Sequence, residues 1–154
     1  MRITVVCVGK QKDRAVAELV GGYGKRLPPG LRLEWIEVAA APGKGSREKA
    51  MAQEAARVRE RIPARALVMA LSERGRKLDS MEFSRRLGRV RDQGRDLCFT
   101  IGGADGFDPA FLKAADEVIS LSALTFPHEL VRAILAEQIY RAFSILKGDP
   151  YHRA

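Results

Sequence analysis

The chain alternates between compact apolar runs and longer stretches with helical spacing. Ile3–Val8, Ala66–Leu71, Leu97–Ile101 and Val118–Leu121 are nearly solid in apolar residues; Leu31–Val38 is more mixed and carries Trp35 and Ile36. Runs that are apolar at successive positions, rather than at every second one, belong to strands buried on both faces. The stretches between them carry helix punctuation. Lys12–Arg26 reads as a helix. Ser46 stands ready to cap a second one running to Ile62 before Pro63, and Asp79 opens a third over Ser80–Arg91. A short helix is predicted near Pro109–Ala115 and a last one over Pro127–Leu146. Strands alternating with helices predict an α/β class: a parallel sheet with helices covering both faces. No repeat and no long linker divides the 154 residues, so one domain is expected. Ligands in such sheets bind at the carboxyl ends of the strands. The loops Leu71–Gly75, Gly102–Gly106 and Leu121–Pro127 are therefore the first candidates for a site.

The last helix has more apolar surface than its own sheet requires. Leu130, Val131, Ile134, Leu135, Ile139, Phe143, Ile145 and Leu146 cover well over half of its circumference, where packing on one sheet needs a stripe of roughly 100°. Either the helix is buried deep within the chain, or it forms a symmetric dimer interface. The dimer is the favoured reading, because a chain this short leaves few other elements to cover it.

Composition changes the picture mainly through charge. The 27 Lys and Arg against 19 Asp and Glu give a formal net charge of +8, with a sequence pI near 9.9. A small domain this basic suits a polyanion, although basic surfaces also serve solubility alone. Aromatic residues, at 6%, are too sparse for a single-strand stacking platform. No stretch approaches the roughly 20 apolar residues of a membrane span. The run Ile3–Val8 is shorter than a signal-peptide core of about 7–15 residues, so a cytoplasmic location is expected. Cys7 and Cys98 sit singly inside apolar runs and read as small buried hydrophobes.

Two motif matches fail on inspection. His128-Glu129-Leu130-Val131-Arg132 starts like a zinc-protease helix, but Arg132 stands where the second histidine ligand must be, and the chain has two histidines in all. No metal site is expected. Ile101-Gly102-Gly103-Ala104-Asp105-Gly106 lies between a strand and a helix. Its spacing is not that of a dinucleotide fingerprint, and Leu121–Leu124, about 20 residues on, offer no carboxylate for a ribose. The paired glycines fit either a plain turn or a backbone that must approach a flat ligand.

Two segments are less ordinary. Leu121-Ser122-Ala123-Leu124-Thr125-Phe126-Pro127-His128 is an apolar, hydroxylic loop whose backbone groups can read an adenine edge while Leu124 and Phe126 touch its face. It also reads as a simple loop with Thr125 as N-cap and Pro127 in the first turn. The tail Gly148–Ala154 holds Tyr151, His152 and Arg153, following Arg141 and Lys147 on the last helix. Chain ends are usually frayed, but this composition suits an RNA base and phosphate.

Taken together, these segments resemble the bacterial ribosomal large-subunit pseudouridine N3-methyltransferase family, a branch of the SPOUT class. The resemblance is carried by Ile101–Gly106, by Leu121–His128, by Leu130-Val131-Arg132, by Ala136-Glu137-Gln138 with Tyr140-Arg141-Ala142, and by Pro150-Tyr151-His152-Arg153. It extends more loosely to Leu71–Asp79 and Ile3–Gly9. Ser72 departs from a common Asp, Ala104-Asp105 from a usual Pro-Glu, and Ala154 from an acidic end, whereas Gly75 is kept. The resemblance implies a trefoil-knotted fold, with the knotted cofactor-binding region at about residues 66–154, and a homodimer formed through the C-terminal helix. It implies S-adenosylmethionine (SAM) as cofactor, held by Leu71, Gly102, Gly103 and Leu121 through Pro127: Leu121, Ser122, Ala123, Leu124, Thr125, Phe126 and Pro127. The implied substrate is a pseudouridine of 23S rRNA, in the hairpin bridging the subunits of the assembled ribosome. Neither DNA nor a membrane is an expected partner.

Methylating N3 requires an imide to lose its proton, at about 1.4 kcal/mol for each unit its pKa lies above ambient pH. A nearby cation can stabilise the anion and a neutral imidazole can take the proton. His152 and Arg153 are the expected pair, with Tyr151 packing the base and Arg141 on phosphate or developing charge. In a dimer the tail can serve the partner's cofactor. His128 is the second candidate base. The rival readings are a non-catalytic RNA-binding module, and a SPOUT enzyme acting on transfer RNA, which the absence of an appended RNA-binding domain disfavours.

Overall fold

A computed structural model describes residues 1–153; Ala154, the last residue of the tail, lies outside the described residues. Five strands, β1 (Arg2–Val8), β2 (Arg32–Val38), β3 (Leu67–Lys77), β4 (Leu97–Ile101) and β5 (Glu117–Ser120), form one sheet in the order β2-β1-β4-β3-β5, every neighbouring pair parallel. Helices α1 (Arg14–Lys25), α2 (Arg47–Arg59), α3 (Ser80–Asp92), α4 (Pro109–Ala114) and α5 (His128–Lys147) connect and cover it.

Alternation along the buried strands divides the core in two. Ile3, Val5 and Cys7 of β1 join Phe99 and the apolar faces of α3 and α5 in the larger half. Val6, Val8 and Cys98 join Ala55 and Val58 of α2 and Phe111 of α4 in the other. Both faces are thus covered, as the solid apolar runs predict. The caps follow the sequence signals. Asp13, Ser46 and Asp108 each accept a backbone N–H of the first turn, and Asp79 forms a full capping box with Glu82.

The boundaries differ from expectation at two places that matter. β3 does not stop at Leu71. It loops out over Ser72–Gly75 and rejoins β5, so that Leu71 and Arg76 both stand opposite Ile119. The continuation is polar because pairing with β4 ends at Ala70, leaving only β5 beside it. An apolar-run criterion cannot detect such a half-paired edge. Gly75 is required there, since a Cβ would come within 2.5 Å of the Ile119 backbone. At the start of α5 the N-cap is Pro127, with no side-chain cap bond, so Thr125 does not cap the helix.

Other bonds fix that helix start. Glu129 accepts the Lys12 N–H at 2.6 Å. The buried Arg132 guanidinium donates to the carbonyls of Gly9 (2.7 Å) and Val8 (3.4 Å) and to the Glu37 carboxylate (3.1 Å). The chain therefore leaves β5 at the sheet edge, passes the ends of β3 and β4, and is pinned at the end of β1. From there α5 runs between α1 and α3. Leu135, Ile139 and Phe143 are buried against the sheet, at ~1.5–3 kcal/mol each. The two flanking helices use most of the apolar excess of α5 within the chain. Leu130 and, on α1, Leu19 remain exposed, and α1 buries no residue completely.

Candidate active site

The carboxyl ends of β3, β4 and β5 open into a cleft of about 890 Å³, a size that suits a cofactor. Leu71 lines it from β3, Gly102 and Gly103 from the turn after β4, and Leu121, Ser122, Leu124, Thr125, Phe126 and Pro127 from the loop before α5. Ala123 is exposed and does not line it. The cleft gathers further residues that no sequence pattern singled out: Arg47 and Met51 of α2, Phe107, and Leu112 of α4. Met51 and Leu112 carry only ordinary amphipathic spacing, which says that they face inward but not what they face; the exposed Arg47 and the loop residue Phe107 carry no such signal.

The glycines owe their place to the chain itself. Gly103 and Gly106 form a bridge, and a Cβ on Gly102 would meet the Gly106 backbone at 2.9 Å. A Cβ on Gly103 would meet Oε2 of the buried Glu54 at 2.6 Å, whose other oxygen accepts the Ala41 N–H. The tight turn accounts for Gly102, and the packing of Glu54 accounts for Gly103.

The loop before α5 has different chemistry. Ser122 is tied on both sides, its carbonyl accepting the Ser120 hydroxyl and its own hydroxyl accepting the Leu124 N–H. Among the described residues, the backbone groups of Ala123, Thr125 and Phe126 bond to no other part of the chain. Leu124 is 70% exposed. Free backbone donors and acceptors beside an uncovered leucine are what a planar, polar-edged ligand would cover. At the mouth, Arg47 pairs with Asp105 at 3.2 Å. His128 lines the rim, its Nε2 beside Gly9.

The tail is elsewhere. It folds back onto the outer side of α5, where Tyr151 stacks edge-on to Tyr140 at 4.7 Å and donates to Glu137 at 3.1 Å. Arg141 Nη1 lies 3.2 Å from His152 Nδ1, and Arg26, the C-cap of α1, sits over Tyr140. Burial, then bonds to Tyr23 and Glu137, push the Tyr151 phenol up to about 12. The bond to Glu137 likewise raises Arg141. None of Arg141, Tyr151, His152 and Arg153 lines the cleft. Val131 does, and Arg141 lies ten residues further along α5, about 15 Å at 1.5 Å per residue. The structure brings the predicted cofactor residues together, Ala123 excepted, and separately brings Arg141, Tyr151 and His152 of the predicted tail cluster together, but within one chain it does not join the two.

Cys7 and Cys98 are buried and burial pushes both thiols up to about 12. Among the described residues, no three His, Cys, Asp or Glu side chains converge as a metal site would need, and no helix is long and apolar enough to cross a membrane.

The family described as "Predicted SPOUT methyltransferase" matches residues 1–152. A protein of Bordetella petrii named "Ribosomal RNA large subunit methyltransferase H" is 46% identical, with all of both chains covered. One of the same name from Herminiimonas arsenicoxydans is 41% identical over 99% of each. Among solved structures, a probable methyltransferase from Bordetella pertussis Tohama I superposes with a TM-score of 0.57 at 15% identity, over 92% of this chain and 95% of that one; at that identity it speaks for the fold alone. The full-length match agrees with the parallel α/β sheet described above, and the chain belongs to the SPOUT methyltransferase family.

Proposed function

We propose that this protein is a SAM-dependent methyltransferase of large-subunit ribosomal RNA, modifying N3 of a pseudouridine in 23S rRNA, in the intersubunit-bridge hairpin of the assembled ribosome. The observation that carries the proposal is the cleft built by three strand-end loops, with free backbone groups and an exposed leucine on its apolar wall. It suits a nucleoside with a polar-edged ring. The names of the full-length relatives supply the RNA. The whole chain acts as one domain, with residues from about 66 onward forming the cofactor-binding part, and a cytoplasmic location follows from a ribosomal substrate.

In this reading the cofactor supplies an electrophilic methyl group on sulfur. Leu71, Leu124 and Phe126 enclose the adenosine, and backbone groups of Leu121 through Pro127 read its edge. Gly102 and Gly103 hold the turn that forms the facing wall. The catalysis asked of the protein is largely positioning. Tyr151 packs the target base, Arg153 and Arg141 face phosphate or the negative charge of the ionised imide, and His152 contacts that same ring.

Because the tail lies about 15 Å along α5 from the cleft of its own chain, the working site joins the cleft of one subunit to the tail of another. A homodimer pairing the α5 faces would do so, covering Leu130 and the open side of α1. The reading is tested by transferring labelled methyl from SAM to ribosomes that lack the modification, with separated subunits and free rRNA alongside. Label is expected in a 23S pseudouridine of the assembled particle. Tight SAM binding with no transfer to any of the three would refute the substrate, and absence of SAM binding would refute the activity.

A further inference from the structure

Three hydrogen bonds converge on Glu137 Oε1: from Arg141 Nε at 2.9 Å, from Arg141 Nη2 at 2.5 Å and from the Tyr151 hydroxyl at 3.1 Å. Its other oxygen accepts the Gln138 amide at 2.8 Å. With Nε and Nη2 committed to the carboxylate, Arg141 turns its remaining Nη1 to His152 Nδ1 at 3.2 Å. A guanidinium has donors only. Nδ1 must therefore present its lone pair, because a proton there would meet an Arg141 N–H head on. In the neutral ring the proton then sits on Nε2.

We propose that this chain of contacts makes His152 a hydrogen-bond donor to the substrate through Nε2–H, not the base that takes the imide proton, with Glu137 as the positioning residue. The proposal rests on the reading of the tail as part of the working site. A ring whose Nδ1 lone pair is taken by Arg141 and whose Nε2 carries a proton has no acceptor left for N3–H. The other groups around the tail offer no substitute. Tyr23 of α1 and Arg26 at its C-cap face the Tyr151 ring, Tyr140 stacks on it, and Arg153 is a fixed cation. Glu137 is the carboxylate bonded into the cluster, where four donated hydrogen bonds stabilise its ionised form and leave it a poor proton acceptor.

With His152 excluded, and with the His128 Nε2 turned against Gly9 at the cleft rim, the imide proton leaves N3 for water or hydroxide in an equilibrium before transfer. The N3 electron pair then forms the bond to the methyl carbon as the carbon–sulfur bond breaks and its pair returns to sulfur, leaving a neutral thioether. His152 Nε2–H and the cations stabilise the negative charge that N3 ionisation spreads over the ring.

The test is single-turnover methyl transfer to unmodified ribosomes at saturating SAM, between about pH 6 and pH 9, with SAM affinity measured on the same proteins. The wild-type rate is expected to keep rising about tenfold per pH unit above neutrality, since the anion population sets it. His152→Ala should lose about 10²–10³-fold, the effect of removing one donor to a developing anion. His152→Gln, whose amide donates but takes up no proton, should stay within about tenfold of wild type. Glu137→Ala should lower the transfer rate and leave SAM affinity unchanged. A wild-type profile that levels above the ordinary imidazole pKa of about 6.5 would overturn the proposal, as would His152→Gln as inactive as His152→Ala. Full activity in His152→Ala is a different result: it would refute the tail's place in the site altogether.

Discussion

Arg132 joins the first turn of α5 to the end of β1, and its removal should loosen both the fold and the cleft. The guanidinium is 3% exposed, whereas its Glu37 partner is 40% exposed. Arg132→Met keeps the apolar stem but deprives the Gly9 carbonyl of its 2.7 Å donor and the Val8 carbonyl of a longer one. Charge-assisted bonds of this kind contribute about 1.5–3 kcal/mol. Glu37, once abandoned, is re-solvated, so its share is small after screening. The sum is about 3 kcal/mol, which lowers Tm by roughly 6–12 °C in a chain of this size. Glu37→Gln should cost a similar amount for the opposite reason, because it strands a buried cation. The double variant should cost less than the two together, which a double-mutant cycle in urea reads directly. Because His128 and Val131 of the same turn line the cleft, SAM affinity should fall in Arg132→Met as well. A change under about 0.5 kcal/mol in Arg132→Met, the level of an ordinary surface substitution, would refute the assignment of this arginine as the clasp.

Gly75→Ala places a methyl within 2.5 Å of the Ile119 backbone, so thermal denaturation should report a loss of about 1–3 kcal/mol, accompanied by weaker SAM binding as the β3 loop shifts. Cys7 and Cys98, with thiols raised by burial to about 12, should resist a thiol reagent near pH 8 until the protein unfolds; since the folded state favours the neutral thiols, stability should decline as pH rises from the ordinary thiol range of about 8.5 towards 12. The Tyr151 phenol, raised to about 12 chiefly by burial, adds stability that is complete below the ordinary tyrosine pKa of about 10 and lost as pH climbs through its folded value. An ultraviolet titration should show a tyrosinate transition near pH 12, and Tyr151→Phe should remove that transition.

What the sequence discloses here divides along physical lines. The apolar runs locate β1 and β4 to within a residue because those strands are buried on both faces. Asp79 and Ser46 locate the starts of α3 and α2 because capping is local chemistry. The polar stretch Arg74–Lys77 hides the continuation of β3, since an edge segment beside one neighbour need not be apolar. Gly102 and Gly103 were visible as special positions, but their cause, the Gly106 backbone and Glu54, comes from contacts that only the folded chain reveals. The apolar surplus of α5 was legible as a number of residues and not as a partner, because α1 and α3 take up most of it. Tyr151, His152, Arg153 and Arg141 stood out by composition. That Arg141 and Tyr151 gather on Glu137, with His152 on Arg141, about 15 Å along the helix from the cleft, follows from contacts that only the folded chain makes.

The central claim, a site shared between the cleft of one subunit and the tail of another, is tested most directly by mixing two inactive variants. One carries a blocked cleft, Leu124→Arg, and binds no SAM; the other, Arg153→Ala, binds SAM and does not transfer. After unfolding and refolding an equal mixture, half of the dimers are mixed, and each mixed dimer holds one complete shared site out of two. Methyl transfer to ribosomes should return to about a quarter of the wild-type rate. If cleft and tail of the same chain work together, no dimer in the mixture holds a complete site, and activity that stays at the level of the separate variants would contradict the account.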